Sequence, residues 1–160
     1  MRHLVITIGC GYGAKGNAIG RKIAEDLNIK FYNRELVDEI IEEVGIPKEI
    51  MENCVIIGRS ADYILKDSDK INLLRAFIYA PDDVRIHNIM ESHNLTEKDA
   101  GILLLEKDKR YHKRHLALTG SNRGDRHNRN ILIDSSYLGT EGTADYIEEL
   151  VRRKFGSGEE

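Results

Sequence analysis

The sequence has no long apolar run, few cysteines and no excess of charge of one sign. Each shortage closes a class of explanation. The longest apolar stretches, Leu4–Ile8, Val55–Ile57 and Ala76–Ala80, fall far short of the ~20 residues that a bilayer span requires, so no membrane partner is expected. The two cysteines, Cys10 and Cys54, are isolated and lack metal-ligand spacing, so neither a disulfide framework nor a thiolate metal centre is expected. Basic side chains number 24 and acidic ones 27, leaving a formal charge of -3, which gives no overall pull toward nucleic acid or anionic lipid. Neither an internal repeat nor a low-complexity segment is present. Met1-Arg2-His3 leads straight into a strand-like run without the apolar core of a secretory leader, and a reducing cytoplasm is the expected compartment.

What is present is an ordinary soluble composition, 41% hydrophobic and 32% charged over 160 residues, enough for one domain with a core. We expect a single domain over residues 1–155 with a mobile tail at 156–160. Short β-rich runs alternate with helix-period runs, the pattern of a parallel sheet covered by helices. Strands are expected at Leu4–Gly9, Lys30–Tyr32, Cys54–Gly58, Leu73–Ala80 and Asn130–Asp134. Cys54–Gly58 is apolar at successive positions and should lie centrally. Helices are expected at Gly16–Leu27, Glu35–Val44, from Ser60 to Leu65, from Pro81 to Ser92, from Thr96 to Leu118 and at Thr140–Phe155. The two prolines agree with this division. Pro47 lies beyond the end of one helix, and Pro81 stands where another begins without losing a hydrogen bond. The expected fold is a three-layer α/β/α sandwich around five parallel strands, with the strand order left open.

The strongest local signal is Gly9-Cys10-Gly11-Tyr12-Gly13-Ala14-Lys15-Gly16-Asn17, set between a strand and an amphipathic helix. Glycines permit positive φ, so backbone N–H groups can turn toward an anion, and a helix start adds free N–H groups and partial positive charge. Against G-x-x-x-x-G-K-[ST], Gly9 and Lys15 fit, Ala14 replaces the second glycine and Gly16 replaces the hydroxyl residue. The competing reading is a glycine turn with no ligand. A dinucleotide fingerprint fits worse, because Ala14 stands where its last glycine belongs and no acidic residue closes the second strand.

A second signal is the basic stretch 107–129, with Lys107, Lys109, Arg110, Lys113, Arg114, Arg123, Arg126 and Arg129 against Asp108 and Asp125. It reads as a lid facing phosphates, as a solvated helix face or as an RNA-binding surface. Tyr111 is its one aromatic residue, which weakens the RNA reading. The histidines at 112, 115 and 127 have no metal spacing.

Six stretches in order, Ile6–Ile19, Phe31–Val37, Val55–Leu65, Leu74–Pro81, Lys107–Arg114 and Asp134–Gly139, together resemble the cytidylate kinase-like P-loop proteins. The resemblance implies a P-loop kinase fold, ATP with Mg²⁺ as donor and a small phosphate-bearing acceptor such as CMP. It implies that Gly9, Gly11, Gly13, Ala14, Lys15, Gly16 and Asn17 form the donor-phosphate loop. Arg34, Arg59 and Asp62 would hold the acceptor, and Arg110 and Arg114, one helical turn apart, would belong to the lid, acting with Lys15 on the transferred phosphoryl group. Nucleic acid is then not the expected partner. The chain departs from the family at Asn33, where an aspartate is usual, at Cys10 and Gly11, where arginine and glutamate are usual, and in a short connection from Val44 to Cys54. Asn33, Asn17 and the shortened connection motivate a second expectation, a non-catalytic nucleotide sensor derived from such a kinase.

Overall fold

The computed structural model describes residues 2–33, 52–58 and 60–156. Five parallel strands, β1 (His3–Cys10), β2 (Lys30–Tyr32), β3 (Cys54–Ile57), β4 (Ile71–Tyr79) and β5 (Ile131–Asp134), form one sheet in the order β2-β3-β1-β4-β5. Helices α1 (Gly16–Asp26), α2 (Ala61–Leu65), α3 (Asp82–His93), α4 (Glu97–Thr119) and α5 (Ser135–Phe155) complete the described elements, with a short 3₁₀ turn at Arg126–Asn128. This is the three-layer α/β/α sandwich that the alternating pattern implied. The expected helix at Glu35–Val44 and all but Gly156 of the expected tail lie outside the described residues.

The order follows from burial. β1 and β3 carry apolar residues on both faces because they are interior strands. Val5 pairs in register with Cys54 and Leu73, and Ile8 with Ile57 and Ala76. On one face Ile6, Ile8, Val55, Ile57 and Ile78 meet Ile19 and Ile23 of α1 and Ala144, Ile147 and Val151 of α5. On the other, Val5, Cys54, Ile56 and Ile71 meet Ala61 and Leu65 of α2. Each fully buried isoleucine contributes roughly 1.5–3 kcal/mol of transfer free energy. Cys54 is fully buried in the core, and burial pushes its thiol up to about 12.

Helix limits follow the local chemistry. The Thr96 hydroxyl accepts from Asp99 N–H and opens α4, and Gly120, at φ 71°, closes it. Asp134 Oδ1 accepts from the Ser136 N–H and hydroxyl, so its carboxylate caps the start of α5. Gly139, at φ 75° and ψ 179°, breaks that helix, and the regular part resumes where the sequence placed its start.

Candidate functional site

The loop between β1 and α1 is fixed by its carbonyl groups. Those of residues 10 to 15 all accept hydrogen bonds, and four of the donors are side chains from distant parts of the chain. Arg123 Nη2 donates to the Cys10 carbonyl. Arg85 Nη1 donates to Tyr12 at 3.4 Å, Asn88 Nδ2 to Gly13 at 2.9 Å, and Ser135 Oγ to Ala14 at 2.7 Å. The Ala14 N–H closes onto the Gly11 carbonyl, and the Ile19 N–H onto that of Lys15. Two loop amides are committed elsewhere, Gly11 to Ile78 and Ala14 to Gly11. The first-turn amides of α1 have no i−4 carbonyl within the helix and are its natural donors to a ligand.

Positive φ occurs at Gly13 (80°) and Lys15 (64°). For a lysine this costs about 1–2 kcal/mol, and strain of this kind gathers at ligand sites. Lys15 is the N-cap of α1 and its side chain is exposed. Close packing accounts for the other small residues. A Cβ on Gly9 would lie 2.9 Å from both terminal nitrogens of Arg129, and one on Gly16 would lie 2.5 Å from Cys10 Cβ. A small residue at 10 and glycine at 16 therefore require each other.

Several openings flank this loop, and two of them gather most of the sequence-predicted site residues. A groove of ≈ 580 Å³ is lined by loop and helix residues Cys10–Gly13 and Lys15–Ala18, by Asn33 and Ile57 at strand ends, and by Asn88, Ile89, Ser92 and His93 of α3. Its lining holds a lysine, amides, a serine and a histidine, with no carboxylate among the described residues. Tyr12 Oη meets His93 Nε2 at 3.2 Å, and His93 Nδ1 meets Ser92 Oγ at 2.8 Å.

The second opening, ≈ 40 Å³, lies over the C-terminal ends of β1 and β3. Thr7, Gly9, Gly58, Ser60, Asp62, Arg114, His115, Arg123 and Arg129 line it. Arg129 Nη1 lies 3.2 Å from Asp62 Oδ2, with the two side chains 3% and 4% exposed. The guanidinium also stacks on Phe77, 5.1 Å from the ring centroid. Burial holds Arg129 below the usual arginine range, opposed by Asp62. Four buried polar atoms here, Thr7 Oγ1, Asp62 Oδ2, Arg129 Nε and Arg129 Nη1, lack a hydrogen bond among the described residues. Ser60 Oγ lies 2.8 Å from His115 Nδ1. Burial lowers the His115 pKa, Asp62 opposes this, and nearby cations add to it, which favours the neutral ring.

The structure thus gathers Gly11, Gly13, Lys15, Gly16 and Asn17 around the larger groove, and Gly9, Asp62 and Arg114 around the smaller cleft. Ala14 is buried beneath the loop. Arg110 is exposed on α4 and does not line either opening. Arg34 and Arg59 lie outside the described residues, although Gly58 and Ser60 on either side of Arg59 line the cleft. Sequence reasoning missed Arg85, Asn88 and Ser135. It met Arg123 and Arg129 as members of a basic stretch, without a signal that they turn inward.

Comparison with known proteins agrees with this geometry. The sequence model of the cytidylate kinase-like family matches residues 5–53 and 48–137. A cytidylate kinase of Thermococcus sibiricus is 25% identical, over 92% of this chain and 80% of that protein. An uncharacterized protein of Eubacterium ventriosum, solved by crystallography, superposes with a TM-score of 0.83 at 27% identity, over 95% of this chain and 100% of that one. A shikimate kinase of Acinetobacter baumannii, solved with shikimate, shares the fold at a TM-score of 0.54 and 15% identity, over 96% of both chains. With the family model spanning both the glycine loop and the basic stretch 107–129, the chain belongs to the cytidylate kinase-like family.

Proposed function

We propose that this chain transfers a phosphoryl group from ATP to a small phosphate-bearing acceptor, with a nucleoside monophosphate such as CMP as the first candidate. The observation that carries the reading is the tethering of all six carbonyls from Cys10 to Lys15, which leaves the start of α1 and Lys15 to face an open groove. A preformed cradle of this kind suits phosphoryl transfer, which needs positioning and charge cancellation more than covalent help.

ATP fits the groove by size and by the chemistry of its donors. Among the described residues the groove lining offers Mg²⁺ neutral oxygens such as the Asn17 amide and no carboxylate, so the ion would enter on the nucleotide's own phosphates. Bound there, it would neutralise charge on the transferring group. The acceptor would occupy the cleft at Asp62 and Arg114, with Arg34 and Arg59 contributing as the family resemblance implies. At ≈ 40 Å³ that cleft is filled by arginine side chains, and admitting a monophosphate requires Arg114 to swing outward with α4. Arg110, exposed on the same helix, would act on the donor phosphates once the lid closes.

A panel of nucleoside monophosphates with ATP and Mg²⁺, read as ADP formation, tests the activity. ADP release with one or more acceptors above the acceptor-free rate is the expected outcome. Lys15→Gly separates binding from folding. It relieves the left-handed backbone, so stability stays level or rises by up to about 1 kcal/mol, while ATP affinity falls. Unchanged ATP affinity in titration calorimetry would refute the role given to Lys15.

The absence of a carboxylate from the described groove lining, together with Asn33, favours a second reading, a nucleotide sensor without turnover. That protein would be thermally stabilised by ATP yet release no ADP with any acceptor.

A further inference from the structure

Among the side chains that hold the loop carbonyls, Arg85 is distinguished by its second attachment. Its Nη1 reaches the Tyr12 carbonyl and also donates to both carboxylate oxygens of Asp108, at 3.1 and 2.9 Å. Its Nη2 donates to Asp82 at 2.7 Å. Asp82 is 80% exposed and weakly competent as a counter-ion, whereas the Arg85 side chain is 12% exposed. Asp108 is therefore the partner that matters, and it lies on α4, the helix that carries Arg114 into the acceptor cleft. The backbone of the same residue touches the loop as well. A Cβ on Gly13 would lie 2.8 Å from the Arg85 carbonyl oxygen, and one on Gly11 would lie 3.3 Å from Arg85 Nη1.

We propose that Arg85 is a positioning residue that couples the lid helix to the phosphate loop, so that the placement of Asp108 sets the shape of the donor cradle. The physical basis is the fork of the guanidinium. A single Nη1 is shared between a carboxylate on α4 and a carbonyl of the loop, and the planar group cannot turn to follow one without releasing the other. When α4 moves away to admit an acceptor, Asp108 withdraws, Arg85 turns toward Asp82 and solvent, and the Tyr12 carbonyl is freed. When α4 returns, the loop is drawn back into the binding shape. Donor and acceptor sites are thereby linked through one side chain that need not touch either ligand. The importance of this link for catalysis rests on the kinase reading, but the link itself is a property of the unliganded chain.

Hydrogen exchange of the full-length, unliganded protein tests the link without any assumption about activity. In Asp108→Asn, the peptide spanning residues 9–17 should exchange at least about fivefold faster, the lower range of ordinary site coupling, while core peptides of β1 and β4 hold their wild-type rates. Arg85→Lys, which keeps the charge and loses the fork, should do the same, and Asp82→Asn should not. An unaltered rate at 9–17 in both Asp108→Asn and Arg85→Lys overturns the proposal. Equal acceleration of loop and core peptides also overturns it, since the pair would then only hold the fold together. A second arm reads ATP affinity by calorimetry, where Asp108→Asn should weaken binding about tenfold although Asp108 does not line the groove. If the wild-type chain binds no ATP, the kinase reading fails, and the exchange arm still decides the coupling.

Discussion

Replacing Arg129 by methionine should be among the most destabilising single changes available in this chain, and replacing Asp62 by leucine in the same molecule should restore most of the loss. The two charges lie 3.2 Å apart and are almost wholly enclosed. At an effective dielectric of about 20, their attraction amounts to about 5 kcal/mol. Removing the arginine alone leaves a carboxylate enclosed by protein, and breaking a buried pair costs about 3–5 kcal/mol. The contact lacks hydrogen-bond geometry at Nη1 and Oδ2, which places the cost near about 3 kcal/mol. For a chain of this length each kcal/mol moves the melting temperature by roughly 2–4 °C, so a drop near 10 °C is expected. Urea unfolding followed by circular dichroism measures it, with an unchanged m-value as the sign that folded and unfolded states are otherwise comparable. The double variant, apolar at both positions and able to stack on Phe77, should recover to within about 1 kcal/mol of wild type. A loss under about 1 kcal/mol in Arg129→Met, or a double variant no better than either single one, would refute the ion-pair account.

Two further outcomes follow from local geometry. Gly13→Ala places a methyl group 2.8 Å from the Arg85 carbonyl oxygen at a φ of 80°, so it should cost about 2 kcal/mol and weaken ATP binding together, read by urea unfolding and calorimetry. Glu148, buried beside Asp26, has its pKa pushed up to about 7, chiefly by burial and next by the neighbouring carboxylate. A carboxyl protonated more readily in the folded state destabilises increasingly as pH rises from about 4.5 through 7. Glu148→Gln should therefore raise stability by about 1–2 kcal/mol at pH 8 and have little effect at pH 4.5, and equal effects at the two values would contradict this.

The layered architecture was legible because it rests on local periodicity. The runs 4–9, 30–32, 54–58 and 73–80 announce strands by composition, and Thr96, Gly120 and Pro81 mark helix limits by their own chemistry. The glycine loop was legible for the same reason, since strand, glycines and helix are contiguous. What holds that loop was not. Arg85 and Asn88 occupy a helix whose polar positions resemble any solvated face, and nothing adjacent says that two of them turn toward carbonyls. Ser135 follows the capping Asp134 at the start of a helix, where a small hydroxyl residue is ordinary. Arg123 and Arg129 show the opposite difficulty. Their stretch drew notice for its charge, and charge suggests a surface, yet Arg129 is enclosed because Gly9 leaves room for its guanidinium and Phe77 supplies a platform.

The anchors of the loop lie 73, 75, 113 and 121 residues away along the chain. Closing such long segments is slow, and contacts of this range form after the strands they depend on. The conformation of the glycine loop is complete only when Ser135 has reached the Ala14 carbonyl. Residues up to 120 contain β1 to β4 together with Arg85 and Asn88, but without Arg123 and Ser135 the carbonyls of Cys10 and Ala14 would lack their side-chain donors. The loop thus takes its final shape only after the segment beyond α4 packs back onto the sheet, later than the strands that flank it.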